Sequence, residues 1–201
     1  MGVFAALGTA LCWAIAARLF RGTGNAFSPL TMNFWKGLIS IAILAVVLVV
    51  VQPTGLSTHA VLWLLLSGLI GIGIGDTCFF KALQSIGDSQ AVLVAETLAP
   101  LFTALFAMAF IGEWITWQQW VGVAVVLFSV DMVIKARKRS TTHVFATSGY
   151  LYGVGAALCQ AVGAVVSRDI LSAGEIDAAS AAFLRLVGGM VFVVPLIAFT
   201  K

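Results

Sequence analysis

Apolar residues fall into seven long runs along the chain, at about 3–20, 30–51, 60–84, 88–112, 115–135, 149–168 and 179–199. A helix crosses a bilayer with about 20 mostly apolar residues, and these runs have that length. They are too long for buried strands and lack the apolar-out, polar-in alternation of an outer-membrane barrel. The pattern predicts an all-α integral membrane protein, a bundle of seven transmembrane helices. Polar, Gly- or Pro-bearing connectors separate most runs, at 21–25, 52–55 and 135–142. At Gly87-Asp88 and Gly112-Glu113 the connector is so short that the third, fourth and fifth helices must be antiparallel neighbours. The first run has no basic residue ahead of it, so it reads as a retained helix rather than a signal peptide.

Composition supports this reading and narrows the function. The chain has 201 residues, 61% apolar and 9% charged, against about a quarter charged in a soluble domain. That excludes a soluble enzyme and a disordered chain. The net charge of +3 comes with no basic run interleaved with aromatics, so nucleic acid is excluded as a partner. Cys12, Cys78 and Cys159 lie within apolar runs without CxxC spacing and read as small core hydrophobes. His59 and His143 fall in connectors, so neither offers an intramembrane metal or haem ligand. No cofactor and no metal site is expected.

Shifting the sequence by 147 positions brings residues 2–21 onto 149–168, with identical pairs at Gly2, Gly8, Ala10, Leu11, Cys12, Ala14, Ala17 and Arg21. Two further residues of offset place Phe34 and Lys36 on Phe183 and Arg185. The sixth and seventh helices therefore repeat the first and second. Five helices separate the two starts, an odd number, so the copies face opposite ways across the membrane. Inverted repeats of this kind mark secondary transporters. The expected organisation is a first five-helix repeat over 1–135, a basic connector over 136–148, and the first two helices of an inverted second repeat over 149–201. On this reading the chain is a 5+5 architecture cut short after Lys201.

Ionisable residues inside these runs are the candidate chemistry. Let face A be the side of the N-terminus and face B the other. Counting 1.5 Å per residue from face B, Lys36 lies roughly 9 Å deep, and Asp76 and Glu96 roughly 12 Å. A charge at the bilayer centre costs about 2.5–3.5 kcal/mol on insertion scales, so the three are expected to cluster within the bundle. Two acids and one base leave one surplus negative charge if all ionise, and like-charge repulsion then favours keeping a proton on the carboxyl pair. A group of that kind suits a proton-coupled exporter. The alternative is a structural Lys36–Asp76 pair with Glu96 facing water. Pro100 removes the helix bond to the carbonyl of Glu96, four residues earlier, and backbone broken at that depth is tolerated only against protein or a wet cavity. A packing kink is the plainer account.

Other features read as scaffold. Ser67, Gly71 and Gly75 form a small-xxx-small stripe for close helix packing, and Gly71, Gly73 and Gly75 lack the flanking strand and Lys of a phosphate loop. Trp114, Trp117 and Trp120 read as an interfacial belt. Glu113 suits the start of the fifth helix, and Asp131 is four residues before Lys135, a spacing for local pairing.

Several of these residues resemble one domain of the EamA type, in the drug/metabolite transporter superfamily. They are Trp13; Ser28-Pro29-Leu30 leading to Lys36; Gly75-Asp76-Thr77-Cys78-Phe79-Phe80-Lys81-Ala82-Leu83; Ile86-Gly87-Asp88-Ser89-Gln90-Ala91; Pro100-Leu101-Phe102-Thr103-Ala104-Leu105; and Ile111-Gly112-Glu113. The resemblance covers about residues 1–135, with 149–199 similar to the opening of a second domain. Lys36 departs from the more usual Arg, and Ala14 from Gly. What it implies is a multi-pass protein of the inner membrane, a permease that moves small organic metabolites or drugs, usually outward. It further implies a central cavity; the candidate contributors to substrate and proton handling, from the motifs, helical depth and repeat together, are Trp13, Lys36, Asp76, Glu96, Pro100 and Arg185, with protons as a candidate coupling ion and a homodimer as a candidate assembly. Eight basic residues on the B side against Arg168 and Arg185 on the A side put B in the cytoplasm, whereas the family is drawn with its N-terminus inside. An intramembrane carboxylate enzyme and a non-transporting scaffold subunit are the alternatives; no HExxH or GxSxG is present.

Overall fold

The structure is a computed structural model, and it describes residues 2–23, 26–51, 57–112, 114–140, 147–174 and 176–199. Seven helical rods account for nearly all of it: α1 (Gly2–Thr23), α2 (Pro29–Val51), α3 (Thr58–Ile86), α4 (Asp88–Ile111), α5 (Trp117–Ser140), α6 (Thr147–Ser172) and α7 (Ala178–Phe199). Among the described residues there is no strand, and five helices (α2, α3, α4, α6 and α7) are long and apolar enough to cross a membrane.

The rods differ from the predicted runs mainly at their ends. Arg21, Gly22 and Thr23, expected in a connector, continue α1, and α5 runs to Ser140 through the expected connector. A basic stretch such as 135–139 has good helix formers, so polarity there ends the membrane-embedded part without ending the helix. His59 lies in the first turn of α3 rather than in a connector, its ring 6.1 Å from that of Trp63. The residues 52–55, Glu113 and His143 lie outside the described set, as does the side chain of Lys135 that the Asp131 pairing requires.

Two glycines make the tight reversals. Gly87, at φ 86° and ψ 164°, joins α3 to α4 in a conformation essentially confined to glycine, and Gly112, at φ 72°, ends α4 in the left-handed conformation that costs other residues about 1–2 kcal/mol. The expected neighbour contacts α3–α4 and α4–α5 are present. α3 is the hub, packing against α2, α4, α6 and α7. Its stripe meets a matching one on α6 in reverse order. The Oγ atoms of Ser67 and Ser167 are 3.3 Å apart, a Cβ on Gly71 would come within 3.5 Å of the Gly163 Cα, and one on Gly75 within 3.1 Å of the Cys159 Cβ. α3 and α6 therefore run antiparallel. α1 runs along α3 in the same direction, with Trp13 stacked on Phe79, Phe20 edge-on to Phe80 and Arg21 Nη1 donating to the Leu83 carbonyl at 3.1 Å.

The seam between α3 and α7 is closer still. A Cβ on Gly68 would run into the backbone carbonyl of Arg185, and one on Gly188 into that of Leu65. Small residues let helices meet backbone to backbone, which in lipid substitutes van der Waals contact for the hydrophobic effect. The tightly buried apolar core lies beside α3, where Phe79, Phe80, Leu83 and Ile86 pack on Ala17, Met32, Ala91, Ala95 and Ala156. Of the cysteines, half-buried Cys78 packs against this core, Cys159 is half-buried, and Cys12 is exposed.

Candidate functional site

Midway along α3 the backbone leaves α-helical geometry. Leu69–Gly75 forms a seven-residue π-helical segment that ends directly at Asp76. Its sequence, Leu-Ile-Gly-Ile-Gly-Ile-Gly, makes the α-helix weak here, since each glycine weakens an α-helix by about 1 kcal/mol relative to Ala and β-branched Ile adds little helix preference. Asp76 follows as the first residue of the resumed α-helix.

Asp76 is buried and forms an ion pair with Lys36 of α2. The ammonium also lies 5.9 Å from the centre of the Phe80 ring. Glu96 of α4 is held differently: Trp13 Nε1 donates to its Oε1 at 2.7 Å. Lys36 and Asp76 are thus paired directly, while Glu96 is bonded to Trp13 rather than to either of them. All four line one cavity of about 770 Å³ together with Thr9, Cys12 and Gln160. Pro100 is absent from that cavity but lines a neighbouring one of about 860 Å³, which also contains Glu96, Gln160, Gln119 and Arg168. It sits inside a helix that continues past it to Phe106. Arg185 does not line that cavity, but it lies near enough to Asp76 for the two charges to interact. Its Nη2 lies 3.2 Å from where a Gly163 Cβ would be, and its Nε is buried without a partner among the described residues.

Two polar residues were not singled out in the sequence. Asn33 is 1% exposed and donates from Nδ2 to the carbonyls of Ile72 (3.0 Å) and Gly73 (3.2 Å) and to Thr77 Oγ1 (3.1 Å). It stands one helical turn before Lys36 in a mostly apolar run, and an amide at that depth was the available signal. Gln160 occupies the position matching Trp13 in the repeat, and the repeat could have pointed to it.

A bundle of apolar helices enclosing an ion pair and a second carboxylate around one cavity defines a multi-pass membrane protein of transporter type. The comparisons agree. Residues 1–134 match the EamA-like transporter family; this is 134 of 201 residues, and the chain belongs to that family. It is also 27% identical over 124 residues to an "uncharacterized transporter in cobO 3'region" from Sinorhizobium sp, a match covering 56% of this chain and 86% of that protein. No solved structure matches the chain.

Proposed function

We propose that the chain is a secondary transporter, rather than an enzyme, that moves small organic solutes across the inner membrane by alternating access, in the outward direction, with protons coupled through Glu96 and Asp76. The observation that carries this reading is the convergence of Trp13, Lys36, Asp76 and Glu96 from four helices on one cavity. Ionised groups in hydrocarbon are costly, and where they occur they mark solute and ion pathways. Lys36 neutralises Asp76, so Glu96, held by a neutral indole, is the acid available to take up and release a proton.

Within this proposal the architecture is an inverted repeat with seven spans in the present chain. Supporting it, α1 runs with α3 and α6 against it, and the repeat-related Trp13 and Gln160 face the same cavity. The repeat-related Lys36 and Arg185 both approach α3, one at Asp76 and the other beside Gly71.

The test is solute flux in proteoliposomes with an imposed pH gradient. The parent protein should drive solute accumulation, and Glu96→Gln should abolish the pH-driven component while inserting normally. Equal pH-driven flux in E96Q would remove the coupling role; absence of any flux in the parent across a broad panel of amines, amino acids and nucleosides would remove the transport reading itself.

A further inference from the structure

The π-helical segment of α3 carries an inference that deepens the transport reading and can be tested independently of it. In a π-helix each carbonyl looks to the N–H five residues on rather than four, so a short π segment inserts an extra residue and disrupts the regular bonding at its boundary. In a bilayer core any carbonyl left over must find a partner within the protein. Here the boundary falls at Ile72 and Gly73. The Asp76 N–H bonds to the Ile72 carbonyl, Thr77 Oγ1 donates to the Gly73 carbonyl at 2.7 Å, and Asn33 reaches both carbonyls from the neighbouring helix.

We infer that Asn33 is a positioning residue: its amide holds α3 in the π register, and that register aims Asp76 at Lys36. The geometry is specific. An α-helix turns each residue by about 100°, so one inserted residue changes by about that angle the direction in which everything after it points relative to what comes before. Before the segment, Gly68 faces the Arg185 backbone of α7, and Ser67 faces Ser167 of α6. After it, Asp76 faces Lys36 of α2. Return of the segment to α-helical register would keep the first set of contacts and turn the carboxylate away from Lys36. The segment has no polar side chain of its own to oppose that return, since three of the seven residues are glycine and four are Leu or Ile, of which Ile72 packs on Gly189 of α7. The opposing contacts are the buried amide of Asn33 and the hydroxyl of Thr77, whose oxygen both donates to Gly73 and accepts from Asn33. Asn33 and Lys36 lie one turn apart on α2, so one helix face both fixes the register and supplies the cation that the register serves.

The experiment reads the distance between positions 36 and 76 directly. With Cys12, Cys78 and Cys159 replaced by serine, one protein carries Lys36→Cys with Asp76→Cys, and a control carries Trp13→Cys with Glu96→Cys. Both are treated in membranes with a short bifunctional thiol reagent. Asn33→Leu, similar in size but without an amide, should cut the 36–76 cross-linking rate at least about tenfold and leave the 13–96 rate unchanged. Thr77→Val should produce a smaller loss of the same kind. Where Asn33→Leu also lowers the 13–96 rate or fails to insert, the same pair is read in Asn33→Thr, which keeps a polar group too short to reach the α3 carbonyls and should show the same selective loss. Unchanged 36–76 cross-linking in the variant so read would overturn the inference. Solute flux is measured beside it on a cysteine-containing Asn33→Leu protein that keeps Lys36 and Asp76. Loss of flux in this variant against an active parent extends the positioning role to transport. An inactive parent counts against the transport proposal alone, because the cross-linking result stands without it.

Discussion

Lys36 and Asp76 show how strongly a low-dielectric setting couples two side chains. The pair is largely removed from solvent, and removing one partner leaves the other as an uncompensated buried charge, which typically costs about 3–5 kcal/mol. Lys36→Met should therefore lower the unfolding free energy in detergent by about 3 kcal/mol. Adding Asp76→Asn to that variant should recover most of the loss, since the stranded carboxylate is then gone. A double variant as unstable as the single one would mean that the pair contributes through packing and not through charge. These two residues were legible from helical depth alone, because both had to lie at one level measured from one face. The partner of Glu96 was not: rise per residue gives height, and the rotation that turns Glu96 to Trp13 instead of Lys36 depends on how α1 and α4 pack. Asn33 escaped for a related reason, since the amide answers to a backbone irregularity on another helix that no periodicity in α2 records.

For the elements, glycine decides where helices touch and where they do not. Gly188 meets the Leu65 carbonyl, whereas a Cβ on Gly155 of the neighbouring α6 would find open space. Gly188→Ala should destabilise the fold by at least about 2 kcal/mol, the usual scale of overpacking. Gly155→Ala should be neutral or stabilising by up to about 1 kcal/mol through helix preference. Thermal unfolding of the two variants in the same detergent compares them. The start of α7 offers a second contrast. Asp177 accepts from Ser180 Oγ at 2.6 Å and from the N–H groups of Ala179 and Ser180 at 3.0 Å each. The Ser180 hydroxyl, then the backbone N–H groups, hold its carboxyl below the usual carboxylate range. A depressed carboxyl stabilises the folded state above its unfolded value, about 3.9, and that contribution is lost as pH falls through the lower folded value. Asp177→Ala should thus melt earlier than the parent at pH 7, with the difference closing in strong acid. The seven rods themselves could be read from runs of apolar residues. The π segment could not, although its three glycines mark the place, because propensity shows where an α-helix is weak without showing which alternative replaces it.

Across the whole molecule, apolar side chains face outward on many helices. Phe4, Leu7 and Leu11 of α1, Val46 and Val50 of α2, and Val125 and Phe128 of α5 are all exposed, which suits hydrocarbon and would be unfavourable in water. The proposed inverted arrangement makes a simple topological prediction. In a cysteine-free background, Thr23→Cys at the end of α1 and Ser172→Cys at the end of α6 should react with a membrane-impermeant thiol reagent from opposite sides of the membrane. Labelling of both from one side would exclude the inversion. The proposed repeat rests on matched Arg, Cys and Gly positions between residues 2–21 and 149–168; Trp13 and Gln160, aligned by the same offset, differ although both line the cavity.

The glycine seam between α3 and α7 also limits how such a protein can move. Putting Ser67 or Leu69 in the place of Gly68, or Val187 in the place of Gly188, would drive a side chain into a carbonyl of the other helix, so these two rods resist slipping and form a single keel. α1 and α5 rest on few neighbours. In the proposed transport cycle the swing would fall to those outer rods, and Trp13 rides on one of them: leaning α1 away would break the indole bond to Glu96 while the keel stays in place beneath it.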